Sequence, residues 1–325
     1  MSLKRKSILV TGGAGFIGSH LVDRLAREQP DNLVVVDNFF LGKELNLKDA
    51  RALYPALKIY TQDASDQDAM RKLFDTESTD VVFNLAVVPL PVSLEKPRWA
   101  FEQNVGITLA MCELAREDRF ETLIHFSSSE AYGSSEYAPM DEKHPSVCTT
   151  SYAASKAASD QLVFSYCNSF GVDASIVRPF NNYGPRQNDG SYAGIVPLTI
   201  KRILRGESPV IYGDGKQTRD YLFVTDTADA AVKMYDCKDT RRRALNIASG
   251  KETSIEFIVR TIAEYLGSAK DVVYEAERSG DVRRHIANTY LAEDLLGFRP
   301  TIDLRRGLGI TIEWYGKELG VPPAD

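Results

Sequence analysis

Short apolar runs rich in β-branched residues alternate along the first half of the chain with longer stretches whose apolar positions recur every three or four residues. The runs are Ile8–Val10, Leu33–Val36, Val81–Leu85, Thr122–Phe126 and Ala174–Val177. Strands alternating with amphipathic helices predict an α/β fold with a doubly wound parallel sheet. Between the first two runs Ile17, Leu21, Val22 and Leu25 share one helical face, so a crossover helix is expected over Phe16–Glu28. Further helices are expected at about Asp66–Thr76, Pro97–Glu117 and Ser151–Ser169, each bounded by polar or Gly/Pro punctuation.

After Pro179 the pattern loosens into Asn181-Asn182-Tyr183-Gly184-Pro185, a turn-rich stretch that marks departure from the sheet. The expected division is residues 1–180, with returning segments near 216–250, and a smaller, discontinuous α/β region in 181–325. Asp220–Val224 and Ala244–Ile247 read as the buried strands of the returning part. Thr253-Ser254-Ile255-Glu256 fits a capping box, opening a helix with a stripe through Phe257, Thr261, Ile262 and Tyr265. Arg241-Arg242-Arg243, the one dense charge run, reads as a solvated loop.

Composition narrows the partners. The 325 residues carry a formal charge of −6, which argues against a nucleic-acid binder, so an anionic ligand must meet locally placed arginines. The four cysteines lack CxxC spacing and the four histidines lack ligand pairing, so neither a disulfide framework nor a metal site is expected. No signal-peptide pattern and no run long enough to span a membrane is apparent, and a cytoplasmic location is the expectation.

The first strand leads into Thr11-Gly12-Gly13-Ala14-Gly15-Phe16-Ile17-Gly18, which opens the first helix with Gly13, Gly15 and Gly18 in GxGxxG register. Glycines there tighten the turn, admit a pyrophosphate close to the backbone and let helix and strand pack closely. Asp37 ends the second strand, where a carboxylate accepts from the adenosine ribose hydroxyls and repels a 2′-phosphate, so NAD is expected rather than NADP. Asn38 follows it. Asp63, with Ala64 beside it, reads either as a partner of the adenine edge or as an exposed loop acid; Leu85 and Ala86 end a third strand at the same edge.

Tyr152-Ala153-Ala154-Ser155-Lys156 falls on a predicted helix, and a spacing of four puts phenol and ammonium on one face. A phenol serves as a base near neutrality only where a cation stabilises its phenolate, and Lys156 is that candidate. Ser127-Ser128-Ser129-Glu130-Ala131-Tyr132-Gly133 follows the preceding strand, at the sheet edge where catalytic groups gather.

With these segments in place, the chain resembles the extended short-chain dehydrogenases, in particular the nucleotide-sugar epimerase, dehydratase and decarboxylase group. Arg178–Gln187, Tyr212–Val224 and Gly280–Arg283 extend the likeness over nearly the whole chain. The resemblance implies a Rossmann-type sheet, bound NAD, a nucleotide-diphosphate sugar substrate and a homodimer formed through the helices Pro97–Glu117 and Ser151–Ser169. It implies that Ser128, Tyr152 and Lys156 form the catalytic triad. Asn181, Arg219 and Arg283 would hold the diphosphate, while Leu198 and Tyr212 either flank the base or serve the core.

Glu130 bears on the branch of the group. Dehydratases and decarboxylases carry a glutamate two residues before the tyrosine corresponding to Tyr132, and most 4-epimerases do not. Once C4 is a ketone the C5 proton is acidic, and a carboxylate can remove it so that water leaves C6. The reading is therefore a 4,6-dehydratase, with a UDP-hexose or UDP-N-acetylhexosamine 4-epimerase as the alternative; a decarboxylase or a non-catalytic NAD-binding regulator ranks below both. Two departures stand out. Ser129 occupies the position of the usual aspartate acid, as in the subgroup that includes the GDP-mannose dehydratases. Ala86-Val87-Val88-Pro89-Leu90-Pro91-Val92-Ser93 is apolar where the group commonly offers the sugar polar contacts.

Overall fold

A computed structural model describes residues 3–190, 193–277 and 283–320. The first half alternates strand and helix: β1 Ser7–Thr11, α1 Phe16–Arg27, β2 Asn32–Asp37, α2 Lys48–Leu53, β3 Lys58–Thr61, α3 Gln67–Thr76 and β4 Val81–Asn84. There follow α4 Leu90–Glu95, α5 Pro97–Arg116, β5 Thr122–Phe126, α6 Ser151–Phe170 and β6 Ala174–Pro179. The remainder comprises β7 Asn181–Tyr183, α7 Ile195–Leu204, β8 Val210–Tyr212, β9 Thr218–Phe223, α8 Val224–Asp236, β10 Ala244–Ile247 and β11 Glu252–Ser254. It ends with α9 Ile255–Tyr265, β12 Val273–Glu275, β13 Arg284–His285, α10 Tyr290–Leu296 and α11 Leu304–Leu319.

Seven parallel strands form the main sheet in the order β10-β6-β5-β4-β1-β2-β3. The continuous apolar runs are explained by burial on both faces. Ile8 and Val10 face a cluster with Leu21 and Val22 of α1 and Ala231 of α8, whereas Leu9, between them, meets Met111 of α5 and Val163 of α6. A small sheet centred on β9 has β7, β11 and β13 as partners, and β8 pairs with β12.

Four local readings differ from the structure. Asp220–Val224 is a strand as its pattern indicates, but β9 belongs to the small sheet; the segment that rejoins the main sheet is α8 followed by β10. The cap of α9 is Ser254, whose hydroxyl accepts from Phe257 N at 3.2 Å, one residue later than the capping-box reading. The buried stripe of α9 is Ile255, Ile258, Val259, Thr261 and Ile262, which keeps Thr261 and Ile262 of the expected stripe, whereas Phe257 and Tyr265 are exposed. Arg241 departs from the solvated run, since its guanidinium donates to Asp173 at 3.0 Å and to the Tyr235 carbonyl at 2.9 Å.

All four cysteines are free thiols. Among the described residues no helix is long and apolar enough to cross a membrane, and no group of His, Cys, Asp and Glu is placed to hold a metal ion.

Behind α6 lies a buried polar chain. Arg178 of β6 donates to Asp160 of α6 at 2.8 Å and to the Tyr132 hydroxyl at 2.9 Å, and Tyr132 donates to Asn246 of β10 at 2.6 Å. Breaking such a pair leaves an uncompensated buried charge. Arg178→Leu should therefore destabilise the protein by about 3–5 kcal/mol in urea denaturation, and Arg178→Leu with Asp160→Leu should recover most of that loss.

Candidate active site

A cleft of about 400 Å3 opens at the carboxyl ends of the strands, where the strand order reverses between β1 and β4. Gly12, Gly15 and Gly18 line it together with Phe16 and Ile17. Gly12 has φ +68°, and a side chain there would lie 2.6 Å from Ala86 N. A side chain on Gly18 would lie 2.1 Å from the Gly12 carbonyl oxygen. Gly13 is not at the cleft: its missing side chain makes room for Val35 and Val22, so it serves helix–strand packing. The glycines facing the cleft are thus spaced by three, at 12, 15 and 18, and the GxGxxG register was displaced by one residue at its start. Gly15 caps α1 without a side-chain acceptor, leaving the first amides of the helix for an anion.

Asp37, Asn38, Asp63, Ala64, Leu85 and Ala86 line the same cleft. The Asp37 carboxylate accepts from Ala14 N at 2.9 Å on one oxygen and from Phe39 N at 2.8 Å on the other, which leaves each oxygen capacity for a ribose hydroxyl. Burial raises its pKa, opposed by these two amides. Asp63 accepts from the Ser65 amide at 2.9 Å and lies 2.7 Å from its hydroxyl, so it is tied into the wall of the cleft. Thr11, Asn84 and His125 form a polar ladder beneath the site, with 2.6 Å from Thr11 Oγ1 to Asn84 Oδ1 and 3.1 Å from Asn84 Nδ2 to His125 Nδ1.

At the other end Ser128, Tyr152 and Lys156 converge on the cleft. Thr150 caps α6 by accepting from Ala153 N, which starts the helix two residues before the tyrosine. The Ser128 hydroxyl stands within hydrogen-bonding reach of the Tyr152 phenol, and the Glu130 carboxylate bears on the same phenol. Burial pushes Tyr152 up to about 12, Ser128 works to lower it and Glu130 adds to the rise. Lys156, buried, donates to the Phe126 carbonyl at 2.9 Å rather than to the phenol; burial brings it down to about 8, with Asp160 opposing. In this environment the phenol is an acid, and the phenolate needs more positive charge than Lys156 alone provides.

Ser129 does not face the cleft. It is buried, with its hydroxyl 3.5 Å from His285 Nδ1, because successive residues of the tight turn Ser129–Tyr132 project in different directions. That removes it as an acid acting on a substrate.

A second cavity of about 180 Å3 is lined by Asn181, Tyr212, Arg219, Gln217, Ile195 and Tyr221 among others. Alternation along β7 explains the arrangement, since Asn182 lines the main cleft and Asn181 the second cavity. Leu198 lies one turn beyond Ile195 on α7 and is not part of the lining; Arg283 is not part of it either, and its guanidinium donates to Asp214 at 2.8 and 2.9 Å. Gly280, Asp281 and Val282 of the matching segment lie outside the described residues.

Four buried amide atoms lack a partner among the described residues: Asn181 Nδ2 and Gln217 Oε1 at the second cavity, Asn182 Oδ1 and Gln187 Oε1 at the cleft. Buried polar atoms are seldom left unpaired, so these fit a polar ligand spanning both cavities. Asn182 and Gln187 lie in a segment whose sequence already stood out. Phe40, Trp99 and Gln103 also line the cleft and carried no local signal, because Trp99 and Gln103 reach it from α5 only through folding.

Gly18→Ala should yield a protein that binds no dinucleotide in equilibrium dialysis. Stripped protein at pH 8–9 should show no Tyr152 phenolate absorbance; adding NAD+ should produce it, and Tyr152→Phe should abolish it.

The sequence pattern of the NAD-dependent epimerase/dehydratase family matches residues 8–248. A putative UDP-glucose 4-epimerase from Methanocaldococcus jannaschii is 33% identical over 308 residues, covering 94% of this chain and 97% of that protein. The UDP-glucose 4-epimerase of Thermotoga maritima with UDP-glucose superimposes with a TM-score of 0.90 at 31% identity, over 96% of this chain and 99% of that one. A dTDP-glucose 4,6-dehydratase from Streptomyces venezuelae with NAD bound gives 0.89 at 29% identity, over 97% and 98%. The chain is thus an NAD-dependent enzyme of the epimerase/dehydratase family.

Proposed function

We propose that the protein oxidises C4 of a nucleoside-diphosphate hexose and then dehydrates it across C5 and C6. The observation that carries this reading is the Glu130 carboxylate, which stands in the turn that opens at Ser128, near enough to Tyr152 for its charge to act on the phenol. Bound NAD+ supplies the hydride acceptor and later the donor. Tyr152 takes the C4 hydroxyl proton, and Ser128 holds the oxygen as it becomes a ketone. Glu130 would then remove the C5 proton and give it to the departing C6 hydroxyl, which leaves as water; C6 of the resulting enone would take back the hydride and C5 a solvent proton passed through Glu130, which gives a 4-keto-6-deoxy sugar. One residue covers both transfers, which suits a site where Ser129 points away. The diphosphate would fall to Asn181 and Arg219, with Tyr212 at the base.

A 4-epimerase is the second reading. It needs only Ser128, Tyr152 and Lys156, and it is the activity for which the Methanocaldococcus and Thermotoga relatives are named. A homodimer through α5 and α6 accompanies either reading, and sedimentation at two concentrations tests it.

Incubation with UDP-, dTDP-, GDP- and CDP-hexoses in deuterated water separates the two. Dehydration gives a product 18 mass units lighter before isotope is counted, with deuterium at C5. Glu130→Gln should lower that turnover by about 100-fold or more. An isomer of unchanged mass without deuterium, formed equally well by Glu130→Gln, would establish the epimerase instead.

A further inference from the structure

We infer that Phe40 and Trp99 form an aromatic clasp over the adenine of the bound dinucleotide and hold NAD on the enzyme between turnovers. The inference rests on the dinucleotide site and is independent of the choice between dehydration and epimerisation.

The two rings belong to separate elements, the loop after β2 and the first turn of α5, yet meet edge to face at 5.6 Å and 66°. Phe40 is 47% exposed and Trp99 37% exposed, so the pair is not a piece of core. Both line the cleft. Large aromatics standing half-bare at the mouth of a ligand cleft, rather than scattered singly, mark a binding surface.

Their position specifies what they bind. The Asp37 carboxylate, suited to the adenosine ribose, accepts from Phe39 N at 2.8 Å, so the loop begins at the ribose and moves outward. With the ribose at Asp37 and the pyrophosphate at the glycine turn, the base would lie on the side away from that turn. On that side Asp63, Ala64, Gln103 and Ile107 complete the lining, and the Ser65 hydroxyl stands between Asp63 Oδ1 at 2.7 Å and Gln103 Oε1 at 2.9 Å. A polar edge between two apolar walls suits a purine.

The loop is built to stay in place. Phe39 has φ +56°, which turns the chain sharply, and the Asn38 side chain accepts from Phe40 N at 3.0 Å. Gly42 packs so tightly over the carboxylate that a side chain there would lie 2.7 Å from Asp37 Oδ1. Lys43 N donates to the Ala14 carbonyl at 3.1 Å, and its ammonium reaches Asp189 at 3.1 Å across the mouth of the cleft. The exposed ion pair contributes little alone. The loop is thus fixed at Asp37 and at the glycine turn, and Phe40 projects between those anchors toward Trp99.

Stacking on an aromatic ring slows departure of a base, and affinity changes within one site appear chiefly in the dissociation rate. The test uses purified holoenzyme and isotopically labelled NAD+. Exchange of bound for labelled cofactor should speed up about tenfold in Phe40→Ala and in Trp99→Leu, and Trp99→Phe should restore a rate near that of the parent. A ring needed only for folding would instead lower the melting temperature without this pattern of rescue. A second measurement leaves the clasp intact: in Trp314→Phe, Trp99 is the sole tryptophan, and its emission should be quenched when NAD+ is added to stripped enzyme. Exchange within twofold of the parent in both clasp variants, or Trp99 emission indifferent to NAD+, would overturn the inference.

Discussion

The site is organised by one buried hydrogen bond, from the Lys156 ammonium of α6 to the Phe126 carbonyl at the end of β5. A buried lysine must find an acceptor, and the last carbonyl of a parallel strand, with no following strand residue to use it, is an available one. That bond fixes the rotation of α6 about its axis. Tyr152, one turn earlier on the same face, is then presented to the cleft and to Ser128. One turn later Asp160 takes Arg178, so the helix is held at consecutive turns by a strand end in front and a guanidinium behind. Asn104 of α5 adds a lateral tie, donating to Ser155 Oγ at 3.0 Å while it accepts from Val88 N at 2.7 Å. The apolar segment at Val87–Pro89 is thereby positioned relative to the catalytic helix through a single amide.

Strand geometry divides the site in a similarly economical way. Neighbouring residues of β7 face opposite cavities, so one short strand with two successive asparagines serves the cleft and the second cavity at once. A nucleotide-sugar bound along this partition would place its diphosphate against Asn181 and Arg219 and its sugar toward Tyr152. Asp37 plays a comparable double part on the other side of the cleft. Its two oxygens hold the glycine turn and the loop carrying Phe40, so this one carboxylate sets the shape of the surfaces on either side of it.

The main sheet was legible because burial on both faces writes continuous apolar runs, and the placing of Tyr152 and Lys156 on one cleft because a helix sets residues four apart on one face. What escaped was information of another kind. Gly13 and Gly12 are indistinguishable in a string of glycines, and only the approach of Val35 on one side and Ala86 on the other separates their duties. Ser129 and Ser128 are likewise adjacent and chemically identical; a tight turn sends one to His285 and the other to Tyr152. The sheet membership of β9 depended on long-range pairing that its own alternation does not encode, and the burial of Arg241 on where Asp173 lies after folding. Trp99 resembled any aromatic at the start of a helix until Phe40 was brought to it.

The electrostatics of the cleft bear on why a retained cofactor suits this chemistry. Burial and the Glu130 carboxylate both oppose the phenolate of Tyr152, and Lys156, itself lowered to about 8, spends its hydrogen bond on a backbone carbonyl. In the proposed dehydration Glu130 would be useful only once a ketone exists. A cationic nicotinamide changes that balance, because one added positive charge in a low-dielectric cleft favours the phenolate while the oxidised ring is present and stops doing so when the ring is neutral. Tyr152 would then be a base while the ring is oxidised and a weak acid once it is reduced, with that change set by the redox state of the ring rather than by solvent pH. Such coupling works only if the same dinucleotide stays through both halves of the cycle, since a reduced cofactor that escaped would leave the oxidised sugar without the hydride that completes the turnover.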